Sequence, residues 1–204
     1  MALSPSYCGV ILAAGASSRM GREKALLPWR GSTFLENGMR TLGAQTEMVL
    51  VVAGANAEGL RPIVDAAGAF LIVNRQPERG QFSSLQIGVQ EVLNRGRDAA
   101  ILTLVDRPAP RPETVQLLKS SFLDAPSDIW AVVPQFEGRH GHPLVAGREM
   151  ITAFLREPQD SNARAVEHAN QKHIRYLEVD DPLVVWNVDT PEEYERILTG
   201  CPQP

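Results

Sequence analysis

Several things are scarce in this sequence of 204 residues. Cysteine is nearly absent: Cys8 and Cys201 stand far apart, and no CxxC or Cys/His cluster offers a zinc site. Cys8 falls in a core-like apolar run and Cys201 in a proline-rich tail, so no structural disulfide is expected and a reducing cytoplasm fits. Long hydrophobic runs are missing too. None approaches the roughly 18 residues that span a bilayer, and the short run at 8–14 lacks the basic flank of a secretory signal. Excess charge of either sign is also lacking. A formal net charge of −4 gives no long-range attraction to nucleic acid or an anionic membrane, so a polyanionic ligand must meet a local cluster of cations. Internal repeats and low-complexity linkers are absent.

Two nucleotide-binding signatures are missing as well. There is no G-x-x-x-x-G-K-[ST], which excludes a P-loop NTPase. Gly15 and Gly21 do not form G-x-G-x-x-G, and no acidic residue ends the second strand to hold a ribose, which disfavours a nicotinamide-dependent oxidoreductase.

What is present is an ordinary globular composition, 44% hydrophobic and 22% charged, long enough to bury a core. Nearly continuous apolar runs at 9–13, 48–53, 70–74, 99–105 and 129–134 read as strands covered on both faces. Amphipathic helices are predicted between them at 33–43, 57–67, 83–94 and 112–124. Thr33 and Glu36 form a capping box for the first, Ser83 or Ser84 caps the third, and Pro112 opens the fourth. This alternation predicts an α/β protein with a mainly parallel sheet between two helical layers.

Beyond 134 the pattern changes. A loop rich in glycine and histidine leads to a short apolar run at 144–146. Helices near 147–156 and 161–171, strands near 173–179 and 183–187, and a final helix capped by Thr190 and Glu193 follow. The chain reads as a single domain over 1–204. A nucleotide-binding part covers about 1–134 and an acceptor-binding part about 135–200.

In such sheets ligands bind beyond the carboxyl ends of the strands, which brings the loops at 14–24, 74–83 and 106–111 to one crevice. The first loop, Leu12-Ala13-Ala14-Gly15-Ala16-Ser17-Ser18-Arg19-Met20-Gly21-Arg22-Glu23-Lys24, follows a buried strand directly. Its small residues let backbone N–H groups approach a ligand, while Arg19, Arg22 and Lys24 supply positive charge. A triphosphate needs both; a glycine-rich turn with solvated basic residues is the plainer alternative. Asp106 closes a buried strand before a loop fixed by Pro108 and Pro110, a place suited to Mg²⁺.

The segment L-A-A-G-x-S-x-R-M-G-x-x-K-x-L-L-P closely resembles the signature of the MobA-like nucleotidyltransferases. Four more segments keep the resemblance over nearly the whole chain. They are Asn74 with Gly80-Gln81-Phe82-Ser83-Ser84-Leu85, then Leu104-Val105-Asp106-Arg107-Pro108, then Gly138-Arg139-His140-Gly141-His142-Pro143, then Asn187-Val188-Asp189-Thr190-Pro191. It implies a Rossmann-like three-layer α/β/α fold of the nucleotide-diphospho-sugar transferase, or GT-A-like, type.

The resemblance further implies that Leu12, Ala13, Ala14, Gly15, Ser17, Arg19, Lys24, Asn74, Gly80, Ser83 and Ser84 bind a nucleoside triphosphate. By the same likeness Lys24, Arg19 and Asp106 are catalytic, Asp106 and Asp189 hold Mg²⁺, and Arg139, His140 and His142 face the acceptor. Plainer readings stand beside several of these: a turn residue for Asn74, a helix start for Ser83 and Ser84, a cap or turn for Asp189, inert surface groups for the histidines.

Within the family the chain looks most like the molybdenum cofactor cytidylyltransferases. Leu12-Ala13-Ala14-Gly15 matches their Thr-Ala-Ala-Gly except at its first position, whereas the guanylyl branch tends to Leu-Ala-Gly-Gly. Arg107 departs from the smaller or neutral residue usual at its position. The substrates so implied are CTP, or another nucleoside triphosphate, and molybdopterin or the molybdenum cofactor. A molybdoenzyme would be the recipient, with no nucleic acid or membrane partner. The rivals are another phosphorylated acceptor such as a sugar phosphate, GTP in place of CTP, or a non-catalytic protein that delivers the cofactor.

Overall fold

The computed structural model describes residues 5–15, 20–158 and 160–200. Ser17, Arg19 and Cys201 therefore lie outside the described residues. In chain order the elements are β1 (Tyr7–Ala13), β2 (Pro28–Trp29), β3 (Ser32–Thr33), α1 (Phe34–Gly43), β4 (Met48–Ala53), α2 (Ala57–Ala66) and β5 (Phe70–Val73). Next come α3 (Gln81–Asn94), β6 (Ala99–Leu104), α4 (Pro112–Leu123), β7 (Ala131–Phe136), β8 (Arg139–His140) and β9 (Leu144–Gly147). The chain finishes with α5 (Arg148–Arg156), α6 (Ala163–Ala169), β10 (Ile174–Glu178) and α7 (Pro191–Thr199).

Among the described residues the main sheet runs β10-β7-β9-β6-β1-β4-β5, with β8 hanging from β7 and a small separate β2–β3 hairpin. β1 lies between β4 and β6, parallel to both; β9 runs antiparallel to β6 and β7, and β10 returns parallel to β7. The fold is the expected three-layer α/β/α arrangement.

Each central strand is apolar on both faces because each face is covered. From β1, Cys8, Val10 and Leu12 point into one core with Phe82, Leu85 and Val89 of α3 and Phe154 of α5. Tyr7, Ile11 and Ala13 point into the other, with Leu35, Met39 and Leu42 of α1 and Leu60 of α2. This period-2 partition is what a continuous hydrophobic run means in a doubly covered strand. Gly88 lets α3 approach closely, since a Cβ there would stand 2.9 Å from Val10 Cγ1.

A third, smaller core joins the two ends of the chain. Leu27, Trp29 and Phe34 pack there with Trp186, Val188 and Tyr194, and the Tyr194 hydroxyl donates to the Pro28 carbonyl at 2.7 Å.

Both predicted capping boxes form, Thr33 with Glu36 and Thr190 with Glu193. The cap expected from Ser83 or Ser84 does not. α3 begins earlier, at Gln81, with Gly80 as its N-cap at φ 91°, a left-handed conformation that glycine tolerates. The strand expected at 183–187 is instead a 3-10 turn, Pro182–Val185. Pro182 has no N–H for a ladder, and the buried Asp181 carboxylate accepts from Leu183 N at 3.2 Å, closing the turn locally. The same carboxylate accepts from Arg111 N and Thr114 Oγ1, both at 2.8 Å, tying the turn to the start of α4.

Candidate active site

The parallel strands β1, β4, β5 and β6 end on one side, so the loops after them meet as expected. Two clefts open there. One, of about 750 Å³, is lined by Leu12, Ala14, Gly15, Asn56, Gly80 and Ser84 among others. The other, of about 690 Å³, shares Leu12, Gly80 and Gln81 with the first and reaches His140, His142 and α6. The two adjoin at those shared residues.

The first loop is braced from beneath. The Ala13 carbonyl accepts from Asn56 Nδ2 at 2.8 Å, which also donates to Glu23 Oε2 at 3.0 Å. Glu23 caps the 3-10 turn Lys24–Leu26 by accepting from Ala25 N at 3.4 Å. Leu12 and Ala13 are buried, so their backbone does the positioning, while Ala14 and Gly15 reach the cleft surface.

Lys24 is the largest consequence of that bracing. Its buried ammonium lies 2.5 Å from Asp189 Oδ1 and 3.5 Å from Asp106 Oδ2. Residues 165 positions apart are thus brought into contact. Asp106 follows β6, and its backbone carbonyl accepts from Val188 N at 2.9 Å, which fixes the Asp189 segment alongside. Asn187 Nδ2 donates to Asp189 Oδ2 at 2.6 Å. Thr190 serves as the helix cap, leaving the Asp189 carboxylate to face Lys24.

The electrostatics of this cluster are asymmetric. Burial pushes the Asp106 carboxyl above its ordinary range, the charges of Lys24 and Arg107 pull it down, and Asp189 pushes it up. Asp106 Oδ1 is enclosed and has no hydrogen-bond partner among the described residues. An orphaned carboxylate oxygen beside a second carboxylate is a good fit for a divalent cation. No group of three or more His, Cys, Asp or Glu able to hold a metal occurs among the described residues. A cation here would draw its other oxygens from phosphate and water, as Mg²⁺ commonly does.

Asn74 and Ser83 stand one layer below the cleft. Buried Asn74 donates through Nδ2 to Ser83 Oγ at 3.0 Å and to Ser84 Oγ at 2.9 Å, and its Oδ1 accepts from Gln76 N at 2.9 Å. Ser83 in turn donates to the Gly80 carbonyl at 2.7 Å. These two side chains hold Gly80 and Ser84 in place, and Gly80 and Ser84 line the cleft.

The Arg139–His142 segment is a hairpin, where a flexible loop was expected. Arg139 and His140 pair with β7, and Gly141 N and His142 N donate to the carbonyls of Pro134 and Val184, both at 2.8 Å. Gly141 is required by contact: a Cβ would lie 2.2 Å from the Val184 carbonyl oxygen. The hairpin divides the three residues grouped in the sequence. His142 faces the 690 Å³ cleft, and Arg139 faces a separate polar cleft of about 370 Å³ beside Arg107 and Arg196. His140, stacked on Tyr176 at 4.0 Å, borders both. Arg107, the family departure, donates to the Trp186 carbonyl at 3.3 Å and also lines both clefts.

His142 cannot act as a base in the manner of an exposed imidazole. Desolvation, with the Arg107 charge second, pushes its pKa down from 6.5 to about 4. A base with a depressed folded pKa costs stability as pH falls. Between pH 6.5 and about 4 the unfolded chain binds a proton that folded His142 refuses, at most about 3 kcal/mol across the window. Melting temperatures measured from pH 7.5 to 4 are expected to fall more steeply for the parent than for His142→Gln. Parallel curves would remove this assignment.

Asn56, Glu23, Gln81 and Arg79 went unassigned in the sequence. Glu23 was visible inside the first motif, but only the Asn56 contact reveals what it braces. No signal pointed to Asn56, which stands in a plain polar turn after β4.

Loops gathered at one edge of a mixed α/β sheet, with two carboxylates and a lysine where they meet, suit the nucleotidyltransferase class. The chain belongs to the MobA-like NTP transferase domain family, whose match spans residues 9–175. It is 30% identical to a molybdenum cofactor guanylyltransferase of Xanthomonas euvesicatoria pv. vesicatoria, over 99% of this chain and 100% of that one. It is also 29% identical to a nicotine blue oxidoreductase of Paenarthrobacter nicotinovorans, over 95% and 97% of the two chains. Among solved structures, Rv0371c of Mycobacterium tuberculosis H37Rv superposes with a TM-score of 0.80 at 27% identity, covering 95% of this chain and 98% of that one. A second crystal structure of Rv0371c is a complex with manganese.

Proposed function

We propose that this protein transfers CMP from CTP to the phosphate of molybdopterin carrying molybdenum, releasing pyrophosphate. The observation that carries the reading is the Asp106–Lys24–Asp189 cluster, whose Asp106 Oδ1 has no partner among the described residues, with the neighbouring Glu23 and Arg107 each lining one of the two clefts.

The triphosphate lies along the first loop, in the cleft of Gly15, Asn56 and Ser84. The acceptor enters by the other cleft. An oxygen of its phosphate attacks the α-phosphorus in line, the bond to the β-phosphate oxygen breaks, and pyrophosphate leaves with that electron pair. Mg²⁺ held by Asp106 and Asp189 would neutralise charge on the phosphoryl oxygens. Lys24 supplies a fixed positive charge at the junction, and Arg19 joins it in the family's pattern. Neutral His142 provides a wall without repelling or deprotonating the acceptor. A phosphate monoester is already nucleophilic, so positioning and electrostatics suffice.

Cytidine is favoured over guanosine by Ala14, which stands where guanylyl-transferring relatives tend to carry glycine. The guanylyltransferase relative and the oxidoreductase relative each carry a rival. No helix among the described residues is long and apolar enough to cross a membrane, in keeping with a cytoplasmic enzyme that serves a molybdoenzyme. The test supplies each of the four nucleoside triphosphates with Mg²⁺ and molybdenum cofactor and measures pyrophosphate. CTP is expected to dominate. Preference for GTP overturns the base. Release only with a sugar phosphate overturns the acceptor, and no release with any pair leaves a delivery protein. Oxidation of NADH or NADPH under these conditions would move the chain to the oxidoreductase branch.

A further inference from the structure

The acceptor-side cleft holds a group that nucleotidyl transfer leaves unused. Glu167, from α6, lines it together with Ser161 and Asn162, over an apolar floor that includes Phe82, Leu144 and Phe154. Among the described residues its carboxylate makes no hydrogen bond or salt bridge. Desolvation raises its pKa, and the only opposing influence is the neighbouring Arg164 charge.

A half-buried anion is out of place in a pocket meant only for an anionic acceptor, because like charge and lost hydration both oppose it. Two cations of the cleft stand away from α6: Arg79 precedes α3, and Arg107 follows β6 next to Asp106, while Arg164 adjoins Glu167 on α6 itself. The cleft is therefore polar at two places, one with cations and one where a carboxylate stands beside Arg164. One accepts a phosphate. The other accepts hydrogen-bond donors, and the buried Phe82 and Phe154, in edge contact with centroids 6.4 Å apart, back the apolar floor against which a flat ring would lie.

We propose that Glu167 recognises a paired N–H edge on a planar heterocycle of the acceptor, and so sets which end of the acceptor faces the nucleotide. A carboxylate has two oxygens spaced to accept two parallel N–H donors, as it does from a guanidinium. The 2-amino-4-oxopyrimidine ring of a pterin presents such an edge; a sugar phosphate does not. This assignment rests on the transferase reading for its catalytic consequence, while the recognition itself can be measured alone.

Two measurements test it on the full-length protein. In steady-state pyrophosphate release with saturating CTP, Glu167→Gln is expected to raise KM for the molybdenum cofactor by about 10-fold or more, leaving KM for CTP unchanged. Gln keeps the shape but loses the charge and one acceptor. Glu167→Asp is expected to recover part of the loss. An acceptor KM within twofold of the parent overturns the inference. The second measurement titrates the protein with a pterin monophosphate, followed by its own fluorescence, without nucleotide. The parent is expected to bind, and Glu167→Gln to bind about 10-fold more weakly. Equal binding, or none to the parent, overturns the role of Glu167. Pterin binding that depends on Glu167 without pyrophosphate release from any triphosphate instead overturns the transferase reading.

Discussion

Asp106→Asn is expected to lower pyrophosphate release by about 10²-fold or more, the scale of one lost transition-state contact, without lowering the melting temperature. The two halves of that expectation come from the same oxygen. Asp106 Oδ1 is enclosed and unpartnered among the described residues, and burial already pushes the carboxyl towards its protonated form. A charge kept in such a place costs folding free energy, and replacing it with an amide of the same shape removes that cost. The neighbouring backbone survives the exchange, because Val188 N bonds the Asp106 carbonyl rather than its side chain. A site that holds a carboxylate in which burial outweighs the pull of Lys24 and Arg107 trades stability for function. Near-parental turnover in Asp106→Asn or Asp106→Ala would falsify the assignment, whatever the stability did.

Lys24→Met should cost about 10²-fold in kcat and leave a second signature in the pH profile. The Lys24 ammonium touches both carboxylates and is the leading influence holding the Asp106 pKa down against burial. Without it, Asp106 and Asp189 face each other with Arg107 as the remaining cation that opposes their charge. Asp106 then keeps its proton to higher pH. Activity that needs the ionised carboxylate is lost as pH falls through the folded pKa, so the acid limb of the profile is expected to move to higher pH in the variant. Lys24→Arg should not restore the rate, because a planar guanidinium cannot occupy the point between two carboxylates as a compact ammonium does. An unshifted acid limb would separate Lys24 from Asp106 and leave only a binding role.

Much of the sheet was legible because burial on both faces writes a continuous apolar run. Met48–Ala53 is the strand its sequence outlines, and β1, β5 and β6 shift by no more than two residues at an end. The capping boxes at Thr33 and Thr190 were equally plain, being local. What failed was decided by distant partners. The 183–187 run is apolar like a strand, but Asp181 anchors it to α4 and Pro182 denies it a ladder. Ser83 resembled a cap, yet its hydroxyl serves the Gly80 carbonyl while Asn74 donates to it from another loop. Arg139, His140 and His142 looked like one group in sequence. Period-2 alternation along the β8 hairpin separates Arg139 from His142, so those two border different clefts while His140 borders both. The fate of Asp189 was the most instructive case: the sequence showed Thr190 as an able cap, and that is what leaves the carboxylate for Lys24.

The small third core gives the protein an order of completion. Lys24 emerges early in synthesis, Asp106 midway and Asp189 close to the end, and the aromatic cluster of Trp29, Phe34, Trp186 and Tyr194 joins first to last. Among the described residues every strand of the main sheet precedes Trp186 in the chain, so the loops at the strands' carboxyl ends can be laid down before the second carboxylate exists. A contact across 165 residues is late by nature, since loop closure must come first. The charge cluster is in this sense a seal on the finished chain. A chain that stops short of Asp189 lacks the Lys24–Asp189 contact, whatever else of the fold it has formed.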